Sequence, residues 1–349
     1  MTTIEQFRAQ VVQAAADKTP LRIRGGGTKD WYGGAPQGEI LDTRMHTGIV
    51  DYEPTELVIT ARCGTPLSEI EAVLAAQNQM LAFEPPHFGQ GATFGGAIAA
   101  GLSGPRRANS GGVRDFVLGA HLMDGKGEVL KFGGQVMKNV AGYDVSRLLA
   151  GSMGTLGLML ELSVKVLPRA TQEATLRFET SEIDAIRMLN TWGGQPLPLS
   201  GSCWHAGALM LRLSGARAAV DAAQRTLGGE LMPDAAVFWE SLREQRHAFF
   251  DGDEPLWRLS VPPTSGAIVL GGEQLIEWGG AQRWLRAPAE QAHDIRRAVG
   301  AVGGHATLFR GGDKAVGVFQ PQASAVARIH ERLKTAFDPS LIFNPGRMF

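Results

Sequence analysis

RIRGGGTKDWYGG, residues 22–34, sets three consecutive glycines behind a short alternating run and ahead of a threonine–lysine pair. Two readings compete for it. One is a plain surface turn; the other is a loop whose successive amide N–H groups converge on a phosphate oxygen as an anion nest. A Rossmann fingerprint requires a long helix after the glycines, and here Trp31, Tyr32 and further glycines follow instead. A P-loop requires Gly-Lys-Ser/Thr in that order, which GGGTKDW lacks. Thr28 has a hydroxyl to offer an anion, and Lys29 a charge that serves a ligand or simply faces water.

Working outward, two more glycine clusters shift the balance toward a ligand. PPHFGQGATFGGAIAAGLSGPRR, residues 85–107, is too glycine-rich for a long exposed helix and too apolar for a linker. GSMGTLG, residues 151–157, repeats the small-residue character. Glycine totals 45 of 349 residues, nearly double the usual share of about 7%. Three such segments in the first 160 residues favour one extended cofactor lying along backbone.

The length calls for two domains. Net charge is −1, from 34 basic and 35 acidic residues without a basic stripe, which argues against nucleic acid. Cys63 and Cys203 have no metal-ligand spacing and read as buried thiols. The N-terminal stretch reads as an amphipathic helix rather than a signal peptide, and no run of 18 apolar residues occurs. A cytoplasmic location is expected, with membrane attachment only peripheral, through partners.

Periodicity predicts a helix over 4–16, strands at LRIR, GEILDT and 57–61, and a helix opened by a Thr65 cap and Pro66. DGKG joins two strands as a hairpin, a short helix is expected over 143–150, and LMLELSVKVLP is a strand ending at Pro168. After about residue 170 the order becomes strand, helix, strand, helix, which suits an α+β sandwich. The expected division is 1–170 and 171–349.

The joint pattern of RIRGGGTK, GQGATFGG, GGVRDFVLG, KNVAGYDVSRLLAGSMGTLGLMLELSVKVLP and the terminal FNPGRMF resembles the FAD-binding domain of the vanillyl-alcohol oxidase and p-cresol methylhydroxylase type. YEPTELVITARCGTPL, GEQLIEWGGAQRWL and GGHAT bring the likeness closest to FAD-binding subunits of bacterial glycolate-oxidising complexes. The resemblance implies an α+β chain: a two-subdomain FAD-binding domain, then an α+β cap covering the flavin's reactive edge, with the C-terminal segment returning to the flavin. It implies that Arg24, Gly25, Gly26, Gly27, Thr28 and Lys29 bind the pyrophosphate. Pro86, Gly91, Ala92, Thr93, Gly95 and Gly96 would line the flavin, with Ser103 and Gly104 continuing along it. Gly151, Gly154, Thr155, Gly157 and Leu158 would lie near the adenine and isoalloxazine parts, and Asn344 and Arg347 would reach the flavin side. No diagnostic attachment residue is present, so the FAD is expected to be non-covalent; Cys63 and His87 do not match one.

The implied chemistry is oxidation of glycolate, or D-lactate, to the 2-oxo acid. That requires a carboxylate-binding arginine and a base near neutral pKa. His305, Arg310 and Arg347 are the candidates, each with a structural alternative. Arg114 and Asp115 form either a loop-ordering ion pair or part of the flavin surround, and the same surround is one reading of Tyr143 and Asp144. Arg106 and Arg107 read as solvent-facing or as a subunit or anion contact. Trp278 and Trp284 read as core or interface aromatics, with Glu277 placed awkwardly beside Trp278. A single histidine in GGHAT predicts no metal site. Without a cysteine cluster motif, any iron–sulfur centre belongs to another protein. Three roles stay open: an electron-relay subunit beside a larger FAD-binding catalytic subunit and an iron–sulfur subunit, an independent 2-hydroxy-acid dehydrogenase, or a flavin-free structural subunit.

Overall fold

The computed structural model describes residues 1–134 and 145–348. Its contacts group into two compact units. The first holds Met1–Leu102, Gly112–Pro168 and Pro321–Phe349; the second holds Ser103–Gly111 and Arg169–Gln320. The grouping differs from the expected 1–170 and 171–349 in three stretches, 103–111, 169–170 and 321–349.

The first unit is built on a five-stranded antiparallel sheet in the order Ile49–Glu53, Val58–Arg62, Leu158–Lys165, Val117–Met123, Val129–Gly133. Leu158–Lys165 is central and buried on both faces, because its apolar residues are nearly continuous rather than alternating. One core cluster joins this sheet to Leu67, Ile70 and Leu74 of helix Leu67–Ala76 and to Phe94 and Ile98 of helix Phe94–Ala100. A second joins Leu158 and Leu160 to Phe7 and Val11 of the N-terminal helix Thr3–Asp17 and to Ile342 and Phe343. The DGKG hairpin forms as expected, with Asp124 Oδ1 accepting the amides of Lys126 and Glu128, both at 2.9 Å.

Thr65 does not cap the following helix. Its hydroxyl accepts from Gly48 N at 2.9 Å, and the cap position is Pro66 without a side-chain bond. Of the helix expected over 143–150, Val145–Leu148 is helical, while Tyr143 and Asp144 lie outside the described residues.

The second unit is an eight-stranded antiparallel sheet running Glu230–Leu231, Gln172–Glu179, Ala208–Gly215, Leu199–His205, Gln274–Glu277, Gln282–Arg286, Leu256–Ser260, His305–Arg310. Helices Glu182–Gly193 and Arg217–Leu227 bury Ala185, Leu189, Val220 and Ala223 with the strand residues Leu209, Leu211 and Leu213. Ile295 and Val299 of helix Ala292–Ala301 pack with Leu259, Leu285 and Leu308.

Candidate cofactor site

Strand Leu21–Arg24 pairs in parallel with Glu39–Asp42 and delivers the chain into the glycine loop. The amide N–H groups of Gly25, Gly26, Gly27 and Thr28 donate to no protein acceptor among the described residues. Gly27 adopts φ +73°, and its carbonyl accepts from Asp30 N at 3.1 Å, closing the turn. Asp30 takes a bond from Arg22 and another from Arg24 Nε at 2.8 Å, so both cations that flank the loop are tied to one carboxylate.

The second glycine segment packs against the first, backbone on backbone. A Cβ on Gly26 would lie 1.7 Å from the Gly91 carbonyl oxygen, and one on Gly25 would lie 2.2 Å from Thr93 Oγ1. These glycines therefore let two loops close on each other, and the cleft is shaped by that contact. Gly91 itself has φ +85° and open space where a Cβ would stand. Thr93 caps helix Phe94–Ala100, its Oγ1 accepting from Gly96 N at 3.2 Å. Gly96, Ala99 and Ala100 present one small-residue face of this helix to the cleft. Gly95 faces away, where a Cβ would meet Cys63 Cβ at 2.5 Å.

The third segment is bonded to the end of the same helix: Gly151 N donates to Ile98 O at 3.0 Å and Met153 N to Ala99 O at 2.8 Å. Asn344 ties it to the first strand. Its Oδ1 accepts from Ile23 N at 2.8 Å and its Nδ2 donates to Met153 O at 2.6 Å. Arg347 donates to the carbonyls of Asp30 (2.9 Å), Gly34 (2.7 Å) and Lys29 (3.4 Å).

One open cleft in the first unit thus gathers Arg24, Gly25, Gly26, Gly27, Thr28, Lys29, Thr93, Gly96, Asn344 and Arg347 from the expected set. Pro86, Gly91, Ala92, Gly95, Gly151, Gly154, Thr155 and Gly157 are not part of its lining. Leu158 is fully buried in one core cluster with Phe7, Val11 and Leu160 and is not part of this lining. Thr155 is buried, with its hydroxyl on Ser152 O at 2.7 Å. Arg114 and Asp115 are exposed and 3.8 Å apart; the loop is ordered instead by Asp115 accepting from Gly112 N at 2.8 Å. His87 bonds Glu71 at 3.0 Å. The sequence reading missed Ala99, Ala100 and Met153 as lining, although the i, i+3, i+4 spacing of Gly96, Ala99 and Ala100 is a legible signal.

The cleft fits an FAD diphosphate. Four adjacent amide donors at its wall, without protein acceptors among the described residues, supply what phosphate oxygens need.

Ser103 and Gly104 belong to the second unit, where Gly104 O accepts from Trp278 Nε1 at 3.0 Å. Trp278 holds φ +54°, with the Arg107 guanidinium 4.5 Å from its ring centroid. Arg106 is buried and paired with Glu173, not solvent-facing. Glu277 is buried, accepting from Trp284 Nε1 at 2.7 Å and Gln282 Nε2 at 3.1 Å, which accounts for a carboxylate among aromatics.

His305 and Arg310 sit at opposite ends of one strand; a β-bulge between Leu308 and Arg310 resets the alternation, so the two share a face, opposite Ser260 and Leu256 of the neighbouring strand. The two do not form one site. Arg310 donates to Phe250 O at 3.1 Å and Gln245 Oε1 at 3.3 Å, bracing the 245–250 segment. His305 is exposed, and surrounding protein together with the Arg258 charge holds its imidazole below the ordinary value. Among the described residues no three His, Cys, Asp or Glu side chains gather as metal ligands.

Residues 1–133 match the FAD-binding domain family model. The chain is 52% identical to glycolate oxidase subunit GlcE of Escherichia coli K12, over 97% of this chain and 95% of that one. Glycolate oxidase subunit GlcD of Bacillus subtilis is 32% identical over 48% of this chain and 36% of its own length. D-lactate dehydrogenase of Archaeoglobus fulgidus is 31% identical over 56% and 44%. In fold, an alkyldihydroxyacetonephosphate synthase structure superposes with a TM-score of 0.66 at 15% identity, covering 98% of this chain and 75% of that one. A cleft whose amide donors lie within the span of that domain model, and identity sustained along the whole chain, place this protein in the GlcE family of FAD-binding oxidoreductase subunits.

Proposed function

We propose that this chain is the FAD-binding subunit of a complex that oxidises glycolate, or D-lactate, to the 2-oxo acid. In that complex it carries electrons between a larger FAD-binding catalytic subunit and an iron–sulfur subunit. The observation that carries the cofactor half is the run of four amides, Gly25 to Thr28, without acceptors among the described residues, in a chain so similar to GlcE. Bound FAD supplies two-electron acceptor chemistry. The chain's own part is to hold it: amides 25–28 on the diphosphate, Thr93 and the Gly96–Ala100 face along its length, Asn344 and Arg347 closing the wall. The relay role is supported by the placement of His305 and Arg310 at opposite ends of their strand, and by the engagement of Arg310 with its own backbone surroundings. Any membrane contact is peripheral and made through partners; among the described residues no helix is long and apolar enough to cross a bilayer.

The test is purification of the chain alone and with its co-purifying partners, with flavin quantified in both and glycolate added without external acceptor. Flavin bleaching only in the assembled complex supports the relay. Rapid bleaching of the isolated chain overturns it in favour of an independent dehydrogenase, and a colourless chain that still assembles points to a structural subunit.

A further inference from the structure

We infer that Asn344–Arg347 is a latch that holds the 25–34 loop in its amide-out form, so that affinity for the cofactor is set by Arg347 as a positioning residue. The inference rests on the cofactor reading above. Three carbonyls of the loop's second half, those of Lys29, Asp30 and Gly34, accept from the Arg347 guanidinium. Gly34 N returns a bond to Arg347 O at 3.0 Å. The carbonyl side of the second half is thereby consumed by protein, while amides of the first half are left for a ligand.

The paired glycines of WYGG belong to the same contact. A Cβ on Gly34 would lie 1.8 Å from Gly346 O, and one on Gly33 would lie 2.9 Å from Arg347 O. They are glycines because the C-terminal backbone lies on them. The latch is itself fixed. Asn344 spends its amide on Ile23 N and Met153 O, and its own N–H donates to Leu21 O at 2.8 Å. Arg347 thus works through a planar fork of donors spread over several acceptors, a geometry that an ammonium cannot copy.

The experiment uses the full chain, stripped of flavin and titrated with FAD, as wild type, Arg347→Met, Arg347→Lys and Gly34→Ala. All three variants are expected to weaken FAD binding by about ten- to a hundredfold. The weakening should be equal at low and high salt, with faster amide exchange confined to residues 25–34 of the apoprotein. Wild-type affinity in Arg347→Lys, or a loss in Arg347→Met that disappears at high salt, overturns the inference by showing a point charge acting on phosphate. Unchanged exchange in the loop overturns it too. If Arg347→Met fails to fold, Arg347→Lys and Gly34→Ala decide. A wild-type chain that binds no FAD sinks the cofactor reading alone, and loop exchange still reports whether Arg347 holds the loop.

Discussion

Lys334 and Asp338, one helical turn apart at the end of helix Ser324–Phe337, form an ion pair inside the first unit. The Lys334 ammonium also donates to Thr155 O at 2.6 Å and Phe343 O at 2.8 Å. Asp338, fully buried, accepts from the amides of Ile342 (3.1 Å) and Phe343 (2.8 Å). Every charge in this knot is matched, so removing one member strands the other. Lys334→Met is expected to destabilise the chain by about 3–5 kcal/mol, read by urea unfolding. A loss under about 1 kcal/mol would show that the pair is solvated.

The loop contact predicts opposite outcomes for two glycines. Gly26→Ala forces a Cβ against the Gly91 carbonyl and must part the two loops, so FAD binding should be lost. Gly91→Ala meets no neighbouring atom and suffers only its positive φ, a cost of about 1–2 kcal/mol. Flavin content of the two purified variants checks this, and equal retention by both would refute the account of the cleft.

Flavin should leave the chain completely on denaturation. Cys63, the thiol nearest in sequence to the glycine segments, is buried against Gly95, and burial pushes its pKa up, which keeps it a poor nucleophile. His87 is engaged with Glu71. Ultrafiltration after acid or urea treatment should put all yellow colour in the filtrate; colour retained with protein would establish a covalent link.

His46 should make stability fall in mild acid. It is buried against Phe7, its Nε2 has no partner among the described residues, and burial, helped by the Arg62 charge, holds its pKa below the ordinary value. The unfolded chain takes up the proton first. The penalty is therefore absent above about pH 6.5, grows as the pH falls below that, and is complete below the depressed folded value. His46→Leu should flatten this part of a melting-temperature profile. His247 and His305, shifted in the same direction, keep some slope.

Much of the fold was legible because its elements announce themselves locally: the alternating LRIR, the apolar run before Pro168, the glycine turns. The cofactor loops were legible as a group, since three glycine segments share one composition. What individual glycines do was not. Gly25 and Gly26 read as room for a ligand, yet they accommodate Thr93 and Gly91, partners more than 60 residues away that periodicity cannot reveal. The same holds for His305 and Arg310. Close in sequence, they stand at the two ends of one extended strand, and a bulge that periodicity cannot reveal sets the face each takes. Residues 103–111 and 321–349 look like continuations of their neighbours in sequence, and only long-range contacts, such as Lys334 on Thr155, reveal their grouping.

Phe343 pairs beside Leu21, and Asn344 bonds Ile23, a residue made 321 positions earlier. During synthesis on the ribosome the glycine loop emerges early and must wait for nearly the whole chain before its brace exists. A product that stops before residue 343 has the loop but lacks both the Leu21–Phe343 bridge and the Asn344 bond that hold its entry strand.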